Sequence, residues 1–330
     1  MTGEAPVVSV ITANYNGSRH LAAAVRSVLD QTLSSIELIV VDDRSTDDSL
    51  AVIREASALD PRVRVIEQAV NGGPGAARNR ALDAARGRWI AVFDSDDLME
   101  PDRLARMVAR AEADGADIVV DNLMVFTDGA SEPPTPFLSG ADYAEARWIT
   151  LADYIHSSRM YSKRPGLGYL KPLFSAQALA GAGGRYRETL RIGEDYDLVL
   201  RLLAKGLRMR LEPQALYRYR KHGASISHVM RRDHLEQMLA ADAAFEPELH
   251  GQPAEVLRAF HARRRSLETA LVYDRIIARL KARDLAGGLA ASLSTPAVWP
   301  LLAMPVEARV KRLAARLKAK STQPMVQAAA

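Results

Sequence analysis

The chain has 330 residues, 48% hydrophobic and 25% charged, with a net charge of +4. It is an ordinary globular composition, long enough for one large domain with an appendage or for two domains. Disulfides, thiolate zinc sites and cysteine nucleophiles are excluded, because there is no cysteine. The opening Met1-Thr-Gly-Glu-Ala-Pro6 lacks the basic and apolar regions of a signal peptide, and no stretch reaches the ~18 apolar residues that span a bilayer. A cytoplasmic location is therefore expected. From Arg231 onward there are 16 Lys+Arg against 10 Asp+Glu, which leaves the first 230 residues at −2. Nucleic-acid binders carry basic charge on the recognition surface together with aromatics. Here the basic end has few aromatics, so nucleic acid is not an expected partner.

The first strand is predicted at 7–13 (Val-Val-Ser-Val-Ile-Thr-Ala), broken by Asn14-Tyr15-Asn16-Gly17. Residues 18–32 follow with helical spacing through Leu21, Val25, Val28 and Leu29. The pattern repeats with a strand at 36–41 ending in Asp42-Asp43 and a helix over about 47–59. A strand at 62–67 leads into Asn71-Gly-Gly-Pro-Gly75 and a helix to about 86. The strand 88–93 stops at Asp94-Ser95-Asp96-Asp97, and a helix from Pro101 to about Gly115 precedes a strand opening at Ile118. Short strands alternating with helices predict an α/β fold, a mostly parallel sheet with helices on both faces. The loops after its strands gather on one edge.

Asp94, Asp96 and Asp97 put three carboxylates into four positions at a strand's carboxyl end, where open α/β sheets bind ligands. Such a cluster repels itself unless a cation sits on it, and oxygen ligands suit Mg²⁺ or Mn²⁺ carrying a phosphate. The competing reading is a polar turn capping the next helix. Further on, a Pro-rich loop occupies 127–140, and the weaker alternation after it suggests an acceptor-side insertion. Gly193-Glu194-Asp195-Tyr196-Asp197 then opens an apolar helix, where helix capping alone would also account for two acids. From about 230 the chain is Ala-, Leu- and Arg-rich with helical spacing, interrupted by Pro296, Pro300 and Pro305.

A dinucleotide fingerprint fails because Arg78 stands where the third glycine of Gly73-Pro-Gly75-Ala-Ala-Arg78 would be. An aspartyl phosphatase wants a small hydroxyl or β-branched residue where Leu98 stands, and no P-loop lysine pattern exists. Six ordered motifs instead carry a family resemblance. They are Val8-Ser-Val-Ile-Thr-Ala-Asn-Tyr-Asn-Gly17, Glu37-Leu-Ile-Val-Val-Asp-Asp-Arg-Ser-Thr46, Gly73-Pro-Gly-Ala-Ala-Arg-Asn-Arg80, Phe93-Asp-Ser-Asp-Asp97, Gly193-Glu-Asp-Tyr-Asp197 and Tyr219-Arg-Lys-His222. Over roughly residues 7–228 the chain resembles the family 2 glycosyltransferases of the GT-A fold, most like the bacterial enzymes that extend exopolysaccharide or lipid-linked oligosaccharide repeat units.

That resemblance implies an inverting transfer from a nucleotide-diphospho-sugar, commonly a UDP-sugar, to a hydroxyl of a glycan or lipid-linked acceptor. It assigns Ala13, Tyr15, Asp43, Arg78, Asp94 and Ser95 to the donor: Tyr15 packing on the base, Asp43 accepting from its imide, Arg78 near base or diphosphate, and Asp94 facing the ribose. Asp96 and His222 would hold a divalent cation, Mn²⁺ or Mg²⁺, and Asp195 would be the general base. Asp42, Asp97, Lys171, Glu194 and Arg220 are secondary candidates. Asp42 reads also as a turn-shaping residue, His222 as a solvated loop histidine, and Lys171 as a plain surface lysine. An inactive sugar-nucleotide-binding scaffold and a sugar-nucleotidyltransferase are the alternatives. The intact Asp96/Asp195 pair argues against the first, and the absence of a Gly-rich, Arg-bearing first loop against the second.

The resemblance supports a catalytic domain over 1–228 and a basic helical region over 229–330. In that region Arg263-Arg-Arg265, Arg275, Arg279, Lys281 and Arg283, then Arg309, Lys311, Arg312, Arg316, Lys318 and Lys320, flank the apolar Ala297-Val-Trp-Pro-Leu-Leu-Ala-Met304. Two readings stand for it: peripheral contact with an anionic membrane, or a packed appendage with a solvated basic face.

Overall fold

A computed structural model describes residues 5–223 and 230–303. The first apolar runs form β1 (Val8–Asn14), β2 (Ile36–Asp42), β3 (Val63–Glu67) and β4 (Trp89–Val92). They pair in parallel in the order β3-β2-β1-β4. Helices α1 (Ser18–Leu29), α2 (Ser49–Leu59) and α3 (Pro74–Ala84) connect them, so every strand-to-helix loop opens at the carboxyl edge. The fourth helix, α4 (Arg103–Asp114), buries Leu104, Met107, Val108 and Ala111. It stops at Gly115, whose φ of 61° is the left-handed conformation that a residue without Cβ adopts freely.

The acidic cluster does not cap α4. It leads first into β5 (Leu98–Met99), and the N-cap is Asp102. The strand opening at Ile118 continues as β6 (Ile118–Thr127) and pairs in parallel with β10 (Met209–Lys221). Three residues, β9 (Leu173–Ser175), fit antiparallel between β4 and β6, and β5 closes the row antiparallel to β10. The order is therefore β3-β2-β1-β4-β9-β6-β10-β5, with β7 (Thr135–Pro136) on β6 and β8 (Arg147–Ile149) on β10. A three-residue strand carries no usable periodicity. In β10 the register with β6 shifts between Glu212 and Ala215, around Pro213, which has no N–H for the ladder.

Within the 128–208 stretch lie α5 (Leu151–Ser157), α6 (Ala176–Gly181) and α7 (Glu194–Ala204). Beyond the sheet come α8 (Arg232–Phe245), α9 (Ala254–Lys281) and α10 (Leu285–Ser294). The chain divides into two compact units between Arg264 and Arg265. The first unit passes the expected limit at 228 because Phe245, Leu249, Val256, Ala259 and Phe260 join its hydrophobic core. The Arg263 guanidinium also lies 3.9 Å from the centroid of the Tyr196 ring. Arg309 and the later basic residues lie outside the described part of the chain.

Candidate active site

At the carboxyl edge, oxygens of Asp94, Asp96 and Asp97 lie within 4.8 Å of one another. Asp96 Oδ2 is 2.8 Å from Nε2 of His222, just beyond the end of β10, and the His222 ring is 4.9 Å from that of His20 on α1. His222 is thus not a solvated loop histidine. Asp97 is buried and accepts hydrogen bonds from Tyr217 Oη at 2.8 Å and from the Arg220 backbone N–H at 2.6 Å. Burial, with the neighbouring charges of Asp96 and Asp94, pushes its carboxyl well above the ordinary range despite those bonds. Arg220 donates to the Asp96 carbonyl at 2.7 Å and pairs with Asp128 at 3.0 Å. Its guanidinium thereby ties the acidic loop to the end of β10.

Tyr15 follows β1 and is 48% exposed, while Ala13 two residues earlier is partly buried. Asp42 is buried in the turn: Asn14 Nδ2 and the backbone N–H and hydroxyl of Ser45 all donate to it. Asp43 accepts from Gln68 Nε2 at 2.6 Å and from the backbone N–H groups of Gly72 and Gly73, both at 2.7 Å. That grip shapes the entry to α3. Gly73 is held at φ 88°, and a Cβ there would run into the Arg191 guanidinium. Ser95 stands partly buried between Asp94 and Asp96.

Two buried cations join this edge to α7. Arg78 reaches Asp94 at 2.7 Å and Glu194 at 2.5 Å, with Asp195 at 3.6 Å. Lys171 reaches Asp94 at 2.7 Å and Asp195 at 3.1 Å, and at 7% exposure it is not a surface lysine. Burial alone would raise Asp94, but the Lys171 and Arg78 charges override it and hold the carboxyl at about 2. Burial likewise raises Glu194, against the attraction of Arg78. Neither acid caps α7: the N-cap is Gly193, at φ 83°, with no side-chain cap bond. Glu194 and Asp195 are turned into the site.

Beneath it lies a pair that sequence reasoning missed. Arg103 and Asp121 are both fully buried and 2.9 Å apart. Arg103 also donates to the Lys171 carbonyl at 2.7 Å, and its guanidinium sits 4.9 Å from the Tyr217 ring centroid. Two charges removed from water survive only when paired and hydrogen-bonded, and these are. One signal was available: Asp121 is a lone charge directly after Ile118-Val119-Val120, in the middle of an apolar strand.

A mostly parallel α/β sheet thus brings an acidic cluster and a helix-borne carboxylate pair to one edge, as the resemblance to GT-A glycosyltransferases leads one to expect. Residues 9–165 match the sequence profile of Glycosyl transferase family 2. The chain is 42% identical over 312 residues to the succinoglycan biosynthesis protein ExoO of Rhizobium meliloti strain 1021, covering 94% of this chain and 88% of that protein. It is 36% identical over 247 residues to ExoU, a succinoglycan biosynthesis protein of the same strain, covering 74% and 71%. In fold it is similar to residues 1–349 of Staphylococcus aureus TarS with UDP-GlcNAc, with TM-score 0.61, 21% identity and coverage of 88% and 78%. It is also similar to the mannosyltransferase PcManGT of Pyrobaculum calidifontis with GDP-Man and Mn²⁺, with TM-score 0.59, 18% identity and coverage of 94% and 81%. The chain belongs to glycosyl transferase family 2 and is a glycosyltransferase with the GT-A fold.

Proposed function

We propose that this protein moves a sugar from a UDP-sugar to a hydroxyl of a growing glycan or lipid-linked glycan, with inversion and with the help of a divalent cation, at the cytoplasmic side of the membrane. One observation carries the reading: Arg78 and Lys171 each touch both the acidic loop that ends β4 and the carboxylates at the start of α7. The donor-facing Asp94 and the proton-accepting Asp195 are thereby tied together through shared buried cations. The succinoglycan relatives support an exopolysaccharide acceptor, and the UDP-GlcNAc bound by TarS supports a UDP-sugar.

Asp96 and His222 fit a cation such as Mn²⁺ or Mg²⁺, because a hard carboxylate and an imidazole nitrogen face each other within a self-repelling acidic group. When bound, the cation supplies neutralising charge to the departing nucleoside diphosphate. That need is acute here, since Arg78 and Lys171 are already engaged with Asp94, Glu194 and Asp195. Asp195 takes the proton from the attacking hydroxyl, and no second acid has to protonate the leaving group. Arg78 and Lys171 set the spacing between Asp94, at the ribose, and Asp195. On the nucleobase, Tyr15 stacks and Asp43 accepts the imide N–H. The carboxylate of Asp43 has room for about four acceptor contacts, and the 72–73 turn with Gln68 takes three of them.

Purified protein offered a panel of sugar nucleotides, with thermal shift and donor hydrolysis read together, tests the proposal. Stabilisation and slow hydrolysis by one UDP-sugar are expected. No response to any sugar nucleotide, or pyrophosphate release from a nucleoside triphosphate and a sugar phosphate, would overturn it. Tyr15→Ala is expected to raise the donor dissociation constant about tenfold, since stacking of a base on an aromatic ring contributes about 1–3 kcal/mol. Titration calorimetry with UDP measures this directly, and an unchanged constant removes Tyr15 from the base site.

A further inference from the structure

Among the described residues eleven large hydrophobic side chains are exposed, and five of them fall between residues 280 and 299. This is a patch and not a scatter. Leu285, Leu289 and Leu293 stand four residues apart on α10, exposed by 68%, 62% and 61%. The residues between them are Ala, Gly and Ser, so the leucines project beyond their own helix surface. The chain then bends by 105° into the segment 296–303. Trp299, 52% exposed, returns its indole N–H to the Ser292 carbonyl at 2.9 Å, which holds the ring beside the end of α10 with its polar atom already bonded.

In sequence, the segments on either side of this patch are mainly basic. Just before α10 come Arg275, Arg279, Lys281 and Arg283, with Asp284 on Arg279. After residue 303 the sequence has six Lys+Arg against the single acid Glu307. No single described helix is long and apolar enough to cross a membrane. Short apolar helices with leucine and tryptophan, flanked by Lys and Arg, match the two layers of a lipid interface: acyl chains for the apolar face and anionic headgroups for the cations.

We propose that α10 and Trp299 form a docking surface for an anionic bilayer, lying in the headgroup plane with Leu285, Leu289, Leu293 and Trp299 immersed. The apolar face supplies the depth, and the flanking cations supply the preference for negative lipid. The sequence pointed to 297–304 as the apolar segment. The exposed leucines extend the surface back to residue 285.

Co-sedimentation of the full chain with vesicles containing phosphatidylglycerol, and with pure phosphatidylcholine vesicles, tests this. Binding to the first is expected to exceed binding to the second by at least roughly tenfold. It should weaken with added salt, because the attraction decays over a Debye length of about 8 Å at physiological ionic strength. The variant carrying Leu285→Ser, Leu289→Ser, Leu293→Ser and Trp299→Ser should lose roughly tenfold or more in partition while keeping its circular dichroism and its donor hydrolysis. Trp299→Phe should remove most of the vesicle-induced blue shift in fluorescence, because Trp89 is buried and the half-exposed Trp148 ring lies against the Arg208 and Arg210 guanidinium groups, far in sequence from the patch. No vesicle binding by the full chain, or equal binding by the fourfold variant, overturns the proposal. So does a dimer in light scattering that the fourfold variant dissociates without any vesicle binding, since the patch would then belong to a second copy. Donor hydrolysis reads the transferase chemistry separately, so a failure of docking and a failure of the proposed reaction are told apart.

Discussion

Asp195→Asn is expected to lower turnover by roughly 10²-fold or more while leaving donor affinity nearly unchanged. Asparagine keeps the shape of the side chain and can accept a hydrogen bond, but it cannot take a proton from an attacking hydroxyl. The variant should fold, because neither buried cation is orphaned by it. Lys171 keeps Asp94 at 2.7 Å, and Arg78 keeps both Asp94 and Glu194. Initial rates against acceptor, with the donor dissociation constant measured by calorimetry, separate the possibilities. If donor affinity fell as steeply as turnover, Asp195 would belong to the donor site and the base would have to be sought elsewhere.

Asp96→Ala is expected to reduce transfer to background with the fold intact. The side chain is partly exposed and its carboxylate meets His222, so little packing is lost. Removing one charge also relieves repulsion on Asp97, whose carboxyl is pushed up by burial and by Asp96 beside it. Thermal stability should therefore be unchanged or slightly higher. Chelation of the wild-type protein with EDTA should abolish activity, and Mn²⁺ or Mg²⁺ should restore it. The variant should show no calorimetric Mn²⁺ binding. Full transfer in EDTA would remove the cation from the mechanism and leave Asp96 as a partner of His222 alone.

The parallel half of the sheet was readable from the chain because each of its strands is an apolar run that ends in turn residues and is followed by helical spacing. Phe93-Asp94 marked the carboxyl edge as plainly as any side chain can. The rest of the sheet was not readable: three residues at the antiparallel Leu173–Ser175 cannot display a period, and Pro213 interrupts the pattern of β10. Lys171 shows the same limit at the level of the site. In Gly168-Tyr-Leu-Lys-Pro172 nothing distinguishes a surface lysine from one buried between two carboxylates, because those carboxylates come from residues 94 and 195. Arg103 looked like any first-turn residue of α4. Its partner Asp121 was conspicuous only as a charge inside a strand, a conflict between local preference and environment of the kind that marks a functional or supporting residue.

The fully buried pair of Arg103 and Asp121 bears on how this enzyme tolerates recombination. Through its bond to the Lys171 carbonyl, the guanidinium from α4 anchors the segment leading into β9, while Asp121 belongs to β6. A loop graft that exchanged residues 128–192 with those of a relative would keep Arg103 and Asp121 but would have to reproduce a carbonyl in the same spot. Otherwise it leaves a desolvated N–H without an acceptor, at about 1–3 kcal/mol or more for a charged donor. Chimeras with the seam at Thr127 are therefore expected to lose solubility more often than chimeras that carry α4 along with the insertion, even though the graft itself would be mostly surface. The modular appearance of the 128–192 stretch is deceptive, because its registration point lies inside the sheet.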